Sequence, residues 1–341
     1  MSSSLPNLSS YTVSQIVSDA YHKALYSVHG NAYVHYRQLW DQAISGAATL
    51  THPLHIDLEL LNSCNYSCSF CPYSIAPSKR PKGFDVVGNK QLDIGLIEKV
   101  LNEADGRLYA VELGYNTEPL LNTRILKIIA MCKQSGVLDI RMSTNGSLLE
   151  NYDYNAIIES GLTQLQVSID AVDNESYSLA RQSDCYDKVV KSLNDFVIAR
   201  DNAGSVLPRV RVTYVMTPEN KHRAAYFKTQ WENIADIIGF QDLMVYPDSG
   251  LDVSSAGLQR LEVDKYPGCY MPKVRMSIRS DGTVQPCCTV PGMRLHIGNI
   301  AKMSIETLWN SPAMQKIRSS HFDGTWTKNK ICADCITNTY N

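Results

Sequence analysis

The chain has no apolar run long enough to cross a membrane, no excess of charge of one sign and no low-complexity segment. A membrane-spanning helix needs about 20 consecutive apolar residues, so we expect no membrane partner. The 32 basic and 34 acidic residues give a net charge of −2, which predicts no nucleic-acid partner. The first residues lack the basic and apolar segments of a secretion signal, so we expect a cytoplasmic protein.

The chain is rich in cysteine instead, with ten residues that a reducing cytoplasm would keep as metal ligands rather than disulfides. Cys64, Cys68 and Cys71 follow a stretch of alternating apolar residues at 54–60. Thiolates are soft ligands that iron–sulfur clusters favour. Three of them leave one iron of a four-iron cubane open. The alternatives are a zinc knuckle, which needs a fourth nearby Cys or His, and three unrelated core cysteines.

This C-x3-C-x2-C spacing resembles the signature of the radical S-adenosylmethionine (SAM) superfamily. The resemblance implies a 4Fe–4S cluster whose open iron binds the amino and carboxylate groups of SAM, with Phe70 against the adenine. Gly114 and Glu118 match the family's Gly-Gly-Glu-Pro-like turn, which binds the methionine amino group, although other residues replace the usual glycines. A carboxylate is a suitable acceptor for an ammonium. The alternative for Glu118 is a Glu-Pro that starts a helix.

Strands and helices alternate through the first two-thirds of the chain. Apolar periodicity predicts strands at 54–60, 109–113, 139–143, 164–169, 209–216 and 243–246, separated by helices at 92–104, 124–136, 155–160, 185–203 and 223–234. Repeated β-α units favour an α/β fold with a parallel sheet, and right-handed crossovers place all strand ends on one face. Ligands bind at that face. Six units match the partial (β/α)6 barrel of the radical SAM family.

Polar residues at the predicted strand ends extend the resemblance. Ser143 and Asn145 resemble the family's ribose-side strand. Ser168 and Asp170 resemble the Ser-x-Asp end of the next strand. Arg181 resembles the arginine that some members direct at the SAM carboxylate, where a charge-assisted pair would orient the ligand. Each alone fits an ordinary turn or a surface charge, but their order along the strand ends favours a SAM site.

The C-terminal region predicts a hairpin and a helix. Residues 274–279 and 283–285 have strand character and flank an Asp-Gly turn, a strong hairpin signal because both turn residues tolerate positive φ. A helix follows at 304–309 and continues to 317. The segment resembles the twitch domain, the shortened form of the SPASM auxiliary-cluster domain.

Four cysteines accompany this hairpin. It would bring Cys269 and Cys287 together, while Cys332 and Cys335 form a C-x2-C pair. Four thiolates are enough to close every iron of a second 4Fe–4S cluster. Zinc is the alternative, because four-cysteine sites with this spacing also hold it. The spacing is similar to that of the aminocyclitol dehydrogenase of the butirosin pathway and its relatives.

We therefore predict three regions: an N-terminal helical extension at 1–53, the barrel at 54–250 and the twitch/SPASM-like domain at 251–341. Within the first, residues 13–28 and 32–44 predict two amphipathic helices rich in Tyr and His, which we expect to pack against the barrel.

The resemblance implies that an electron from a reductase, flavodoxin or ferredoxin cleaves SAM to a 5′-deoxyadenosyl radical, which takes hydrogen from an unactivated substrate carbon. We expect a small polyhydroxylated substrate (a sugar, aminocyclitol or nucleoside) whose secondary alcohol is oxidised. An epimerase would instead return hydrogen to the opposite face from a thiol, for which Cys288 is the candidate donor. Cys132 and Cys185 are expected to be structural. Modification of a ribosomally made peptide and a non-catalytic iron–sulfur protein are the remaining alternatives.

Overall fold

The computed structural model describes residues 20–74, 90–245 and 266–340. The strands in these ranges are β1 (His55–Leu58), β2 (Ala110–Leu113), β3 (Asp139–Thr144), β4 (Gln164–Ser168), β5 (Arg209–Val215), β6 (Ile237–Gln241), β7 (Leu243–Met244), β8 (Arg275–Ile278), β9 (Thr283–Gln285), β10 (Gly298–Asn299) and β11 (Thr339–Tyr340). The helices are α1 (Ala20–His29), α2 (Asn31–Ser45), α3 (Ile94–Ala104), α4 (Ile125–Gln134), α5 (Tyr154–Ser160), α6 (Asn174–Arg181), α7 (Tyr186–Asn202), α8 (Ala224–Trp231), α9 (Met271–Val274), α10 (Ile305–Trp309), α11 (Pro312–Asp323) and α12 (Lys330–Thr337).

One nine-stranded sheet organises the molecule, in the order β10-β9-β8-β1-β2-β3-β4-β5-β6. Strands β1 to β6 are neighbours in chain order and run parallel. This confirms the predicted α/β class and the parallel six-unit barrel. The carboxyl ends of all six strands therefore lie on one face of the sheet.

The predicted sixth strand at 243–246 was wrong. The strand that completes the six is β6, and β7 instead pairs antiparallel with β11. Gly239 interrupts the apolar run of β6 and weakens its strand signal. The pairing with β5 requires a glycine there, since an added Cβ would lie 2.5 Å from the Arg211 guanidinium. Tyr246, the last residue of the predicted strand, lies outside the described residues.

The C-terminal hairpin is confirmed, and it extends the barrel sheet. Strands β8 and β9 pair antiparallel across the predicted turn, where Gly282 has φ +81°. Strand β8 also pairs parallel with β1, with His55 opposite Arg275. The C-terminal region is thus joined to the first barrel strand by a continuous hydrogen-bond ladder, and the segment after β1 emerges beside the turn between β8 and β9, where Ser280 N donates to Glu59.

Several helices differ from the sequence expectations, which did not include α9 or α12. The helix predicted from 304 to 317 is divided into α10 and α11, because Ser311 accepts a hydrogen bond from Met314 N and Pro312 starts a new helix. Helix α6 was not predicted. It begins with a capping box in which Asp173 and Ser176 satisfy each other's backbone N–H groups, and it places Arg181 in its last turn.

The N-terminal helices pack against the barrel through their aromatic side chains, as predicted for the part of them that the structure describes. Tyr36 stacks on Tyr109 with ring centroids 5.3 Å apart. The Tyr21 hydroxyl donates a 2.5 Å hydrogen bond to Asp139 Oδ1 at the start of β3. Residues 13–19 of the predicted first helix lie outside the described chain. Helices α1 and α2 therefore cover the amino ends of the strands, opposite the face where ligands bind.

The barrel strands are apolar on the outside and polar on the inside. Ile56 and Leu58 of β1 join the apolar core beneath the helices. Between them, the buried Asp57 accepts hydrogen bonds from His55 Nε2 (3.1 Å) and Ser277 Oγ (2.6 Å). The alternation follows from the period of two in a strand. A polar barrel interior, rather than an apolar one, leads up to the carboxyl-end face.

Candidate functional site

The three-cysteine loop lies at the carboxyl end of β1 and folds on itself. Cys71 N donates to Cys68 O over 3.1 Å, and Tyr66 N approaches Cys64 Sγ to 3.5 Å. Ser69 N also donates to Ala180 O, which ties the loop to the end of α6. The loop therefore presents its three thiols towards one space from a fixed backbone.

A large open cavity of about 420 Å³ lies beneath this loop. The three cysteines all line it, and so do all eight residues predicted to bind the cofactor: Phe70, Gly114, Glu118, Ser143, Asn145, Ser168, Asp170 and Arg181. A site for one drug-sized ligand takes roughly 300–1,000 Å³, so this cavity is large enough for a cofactor. We call it the open cavity.

Glu118 is fully buried in the wall of the open cavity. Its Oε1 accepts hydrogen bonds from Leu120 N (2.9 Å) and Thr144 Oγ1 (2.6 Å), and its Oε2 accepts from Asn145 N (2.8 Å). Burial raises the pKa of Glu118, and these hydrogen bonds act against that effect. A carboxylate has about four acceptor positions, so one remains for a ligand. Glu118 thus joins the turn after β2 to the end of β3.

The turn before Glu118 needs glycine at its first position. Gly114 has φ +81°, and a Cβ there would lie 2.6 Å from the Pro119 ring. Only glycine meets both demands without strain. The close packing of Gly114 on Pro119 holds the intervening residues against the open cavity.

Arg181 is buried between an acidic group and a cysteine. Its Nη2 lies 2.5 Å from Asp170 Oδ2, and its Nη1 donates to Cys68 Sγ over 3.4 Å. The guanidinium also lies 5.8 Å from the centre of the Phe70 ring. Burial raises the pKa of Asp170 while Arg181 lowers it. Arg181 therefore connects the β4 end, the cysteine loop and the predicted adenine contact.

The remaining predicted contacts form hydrogen bonds along the strand ends. Ser143 Oγ donates to Glu112 Oε1 over 2.6 Å. Asn145 Nδ2 donates to Asn65 Oδ1 over 2.8 Å and lies 3.9 Å from Cys64 Sγ. Ser168 Oγ lies 3.3 Å from Thr213 Oγ1. Hydrogen bonds to neighbouring residues therefore hold these strand-end groups in place in the cavity wall.

The sequence analysis missed two polar groups of the open cavity. The Tyr115 hydroxyl and Asn116 Nδ2 are buried and have no hydrogen-bond partner among the residues described by the structure. A buried donor without a partner costs roughly 1–3 kcal/mol, which a bound ligand can recover. The signal in the sequence was the replacement of glycines in the turn by residues with polar side chains.

A polar group below the open cavity was also missed. Glu59 accepts from Tyr73 Oη (2.9 Å) and from Ser280 N (3.0 Å). Charged and polar residues at every second position of β1 and its extension (His55, Asp57 and Glu59) were the available sequence signal. Through these hydrogen bonds, Glu59 links the segment after the cysteine loop to the hairpin turn.

A second cavity lies under the hairpin and is lined by all four cysteines of the second predicted site, Cys269, Cys287, Cys332 and Cys335. Most of its other lining is apolar, including Met271, Leu295 and Ile331. Burial, with the neighbouring thiols Cys287 and Cys269, raises the pKa of Cys332 to about 12. We call it the closed cavity.

The closed cavity fits a group bound to its sulfurs. An added Cβ on Gly292 would lie 2.3 Å from Cys287 Sγ. The close approach of the turn backbone to this sulfur therefore requires glycine at position 292. No three His, Cys, Asp or Glu side chains of the described ranges are arranged around a single metal ion.

The two cavities share one wall. Cys287 lines the closed cavity, its neighbour Cys288 lines the open cavity, and Thr289 lines both. Arg275 Nη1 lies 3.7 Å from Cys288 Sγ on the open side. Burial raises the pKa of the Cys288 thiol, and Asp57 adds to this effect. Cys132, expected to be structural, is fully buried in the core under α4.

Within the described chain, none of the helices has the length and apolar character needed to cross a membrane.

Comparison with known protein families gives two matches. The profile of the radical SAM superfamily matches residues 58–225, and that of the SPASM iron–sulfur cluster-binding domain matches residues 269–336. Among curated proteins, a probable GTP 3′,8-cyclase of Saccharolobus islandicus is 27% identical over 177 residues, or 52% of each chain. One from Metallosphaera sedula is 27% identical over 171 residues, 48% of this chain and 47% of that one. The chain thus spans about half the length of these relatives.

Three solved structures share the fold. BtrN in complex with AdoMet and 2-DOIA has a TM-score of 0.53 at 16% identity, covering 84% of this chain and 93% of BtrN. Streptococcus suis SuiB bound to S-adenosylmethionine has the same score and identity, covering 85% of this chain and 73% of SuiB. The anSMEcpe enzyme with bound AdoMet scores 0.55 at 15% identity, covering 84% and 89%.

The two profile matches cover the two cysteine groups separately, since the three-cysteine loop lies in the first match and the four cysteines of the closed cavity lie in the second. The three-cysteine 4Fe–4S cluster and SAM are cofactors of the first domain, and auxiliary iron–sulfur chemistry belongs to the second. The chain therefore belongs to the radical SAM superfamily and carries a C-terminal iron–sulfur domain of the SPASM/twitch type.

Proposed function

We propose that this enzyme oxidises a secondary alcohol of a small polyhydroxylated molecule, such as a sugar, an aminocyclitol or a nucleoside. Cys64, Cys68 and Cys71 hold the SAM-binding cluster, and the four cysteines of the closed cavity hold a fully ligated second cluster. When bound, these groups supply hydrogen-atom abstraction and an outlet for one electron. The residues of the chain bind and orient the reactants, and the alcohol proton passes to water in the open cavity.

SAM is held by the residues around the cysteine loop. Glu118 offers its remaining acceptor position to the methionine ammonium, and Arg181 faces the carboxylate. Phe70 packs against the adenine, while Ser143 and Asn145 lie on the ribose side. Gly114, Ser168 and Asp170 complete the wall. Because each of these side chains is already fixed by a neighbour, little ordering is needed when SAM binds.

The observation that carries the proposal is the common wall of the two cavities. Removing a hydrogen atom from an alcohol carbon leaves one proton and one electron to be lost before a ketone forms. A closed four-thiolate site one residue away from the reaction cavity is suited to take that electron. Cys287 and Cys288, adjacent in the chain, face the two sides.

The polar character of the open cavity supports a polyhydroxylated substrate. Tyr115 and Asn116 offer buried donors without partners in the described chain, and a substrate hydroxyl can accept from either. The fold of BtrN, seen with AdoMet and 2-DOIA, is consistent with a small substrate. SuiB has also been seen with a precursor peptide, so peptide modification is the outcome against which the proposal is tested.

Epimerisation is the second candidate, and the position of Cys288 favours it. Its thiol lines the open cavity, where it can return a hydrogen atom to a substrate carbon. Burial raises its pKa, which keeps the S–H bond intact at neutral pH. An epimerase would regenerate the thiol with an electron and a proton, whereas an alcohol oxidation needs no such donor.

The test is product analysis with the anaerobically reconstituted, chemically reduced enzyme in D₂O. A panel of aminocyclitols, 2-DOIA, sugars, nucleosides, GTP and cysteine- or serine-containing peptides is incubated with SAM, and 5′-deoxyadenosine and products are measured. We expect a polyhydroxylated compound to stimulate 5′-deoxyadenosine formation and yield a ketone with no deuterium at the oxidised carbon. Inverted product carrying one deuterium would select the epimerase instead. Stimulation only by peptides, or a cyclised nucleotide from GTP, would overturn both.

A further inference from the structure

The hydroxyl of Thr289 lies against two sulfurs of the closed cavity. Its Oγ1 is 3.4 Å from Cys287 Sγ and 3.9 Å from Cys335 Sγ. The same oxygen accepts a hydrogen bond from Gly292 N over 3.2 Å. A threonine hydroxyl has one hydrogen to donate, and the amide bond does not use it. Once metal binding has deprotonated the cysteines, their sulfurs can accept hydrogen bonds but cannot donate them. The hydroxyl hydrogen of Thr289 is therefore directed at these sulfurs.

The local backbone fixes this arrangement. Residues 291–294 form a short 3-10 turn, closed by Met293 N donating to Val290 O and Leu295 N to Gly292 O. Because position 292 has no Cβ, the turn can wrap closely around Cys287 Sγ. The turn, the sulfur and the Thr289 hydroxyl therefore form one rigid unit directly after the paired cysteines.

The rest of the closed cavity makes this hydroxyl unusual. Among the described residues that line it, Thr289 is the one with a side-chain hydroxyl, and prolines, isoleucines and other apolar groups form most of the wall. His321, another polar lining group, has its Nδ1 occupied by Cys269 N at 3.1 Å. In apolar surroundings a single hydrogen bond to a charged sulfur has a large electrostatic effect.

We propose that Thr289 is a positioning residue that donates its hydroxyl hydrogen to the ligand sulfurs of the auxiliary cluster and raises that cluster's reduction potential. Adding an electron makes the cluster more negative, and a donor to its sulfurs stabilises the more negative state. The four cysteines fit such a cluster, and the inference concerns Thr289 alone. It goes beyond the proposed function, since it holds whichever substrate the enzyme uses.

The test isolates the auxiliary cluster in a full-length chain carrying Cys64→Ala, Cys68→Ala and Cys71→Ala. In this background, Thr289→Val removes the hydroxyl at nearly constant shape and Thr289→Ser retains it. Potentiometric titration followed by EPR should show a shift to more negative potential for Thr289→Val and a potential near the parent's for Thr289→Ser. Iron content should stay at about four per chain in all three proteins, by ligand arithmetic.

Thr337→Val is the matched control. Thr337 lies on α12 beside the C-x2-C pair, but its hydroxyl donates to Ala333 O over 3.0 Å rather than to sulfur. We expect no shift of potential in this variant. A Thr289→Val potential equal to the parent's, or equal shifts in Thr289→Val and Thr289→Ser, would overturn the proposal.

A second measurement covers the case in which Thr289→Val assembles fewer than four irons. Pulsed EPR of the reduced background protein, exchanged into D₂O, reports deuterons close to the cluster without any change at position 289. An exchangeable deuteron coupled to the cluster is expected, and its coupling should persist in Thr289→Ser. The absence of any such coupling in both proteins would overturn the proposal, as would a cluster site filled with zinc.

Discussion

The two cysteine groups of this chain are opposites in almost every respect. Three thiols on a loop border the open cavity, whose walls carry carboxylates, hydroxyls and amides. Four thiols surround the closed cavity, whose walls are mostly apolar. An incomplete ligand set beside polar groups suits a cluster that must bind a further molecule, whereas a complete set in an apolar space suits electron storage. One sheet builds both sites, because β8 pairs with β1.

The largest effects should come from removing either set of ligands. Combined Cys64→Ala, Cys68→Ala and Cys71→Ala should abolish SAM cleavage and reduce the iron content from about eight to about four per chain, because only the four-cysteine site remains. Iron and sulfide analysis with a 5′-deoxyadenosine assay checks this. Iron contents that stay near eight would mean that the loop holds no cluster.

Adding a single methyl group at position 292 should disrupt the four-cysteine site of the closed cavity. Gly292→Ala places a Cβ 2.3 Å from Cys287 Sγ, which must displace the sulfur or the turn. We expect loss of about four irons while SAM still binds the remaining cluster. Gly95→Ala is the control, because its new Cβ meets only the side-chain end of Asp93, which does not line the closed cavity. Retention of all eight irons in Gly292→Ala would contradict the geometry proposed for the closed cavity.

Glu118→Gln should weaken SAM binding without loss of iron. The new amide NH₂ would face an N–H or hydroxyl donor, and the charged acceptor for the ammonium would be lost. Hydrogen bonds to charged groups contribute about 1.5–3 kcal/mol, so SAM affinity should fall by roughly 10-fold or more. Calorimetry on the reconstituted protein checks this, with Glu150→Gln as an exposed control. Unchanged SAM affinity would show that Glu118 only supports the turn.

Cys288→Ala should have the smallest effect if the enzyme oxidises an alcohol. The residue lines the open cavity but supplies no cluster ligand in our assignment. Ketone formation should then stay close to the parent's, because alcohol oxidation needs no hydrogen donor and the substitution removes only the long contact of Cys288 with Arg275. In an epimerase the same change would let SAM cleavage continue while inverted product disappears. Comparing product and 5′-deoxyadenosine yields separates the two reactions.

Much of this difference could be predicted from the sequence, because cysteine spacing and strand-end polarity are local patterns. The C-x3-C-x2-C loop and the residues from Phe70 to Arg181 share one cavity, as their order along the strands predicted. The hairpin was read correctly from Asp281-Gly282. Local patterns were sufficient wherever one segment determines its own geometry.

The features that could not be predicted from the sequence depend on packing between segments that are distant in the chain. The wall formed by Cys287, Cys288 and Thr289 exists only because β8 pairs with β1, 220 positions away at Asp57 and Ser277. The strand at 237–241 was missed because Gly239 weakens its apolar pattern. That glycine is required by the close packing of Arg211 from another strand, which the local sequence does not show. The assignment of ligand roles to individual residues stays a prediction.

The most direct test of the central claim, two clusters of which one is open, is Mössbauer spectroscopy of the ⁵⁷Fe-reconstituted enzyme with and without SAM. The account predicts about eight irons in two 4Fe–4S clusters, with SAM changing the signal of about one iron and leaving the second cluster unaffected. Four irons accompanied by a zinc ion, or a SAM-induced change in the second cluster as well, would contradict it.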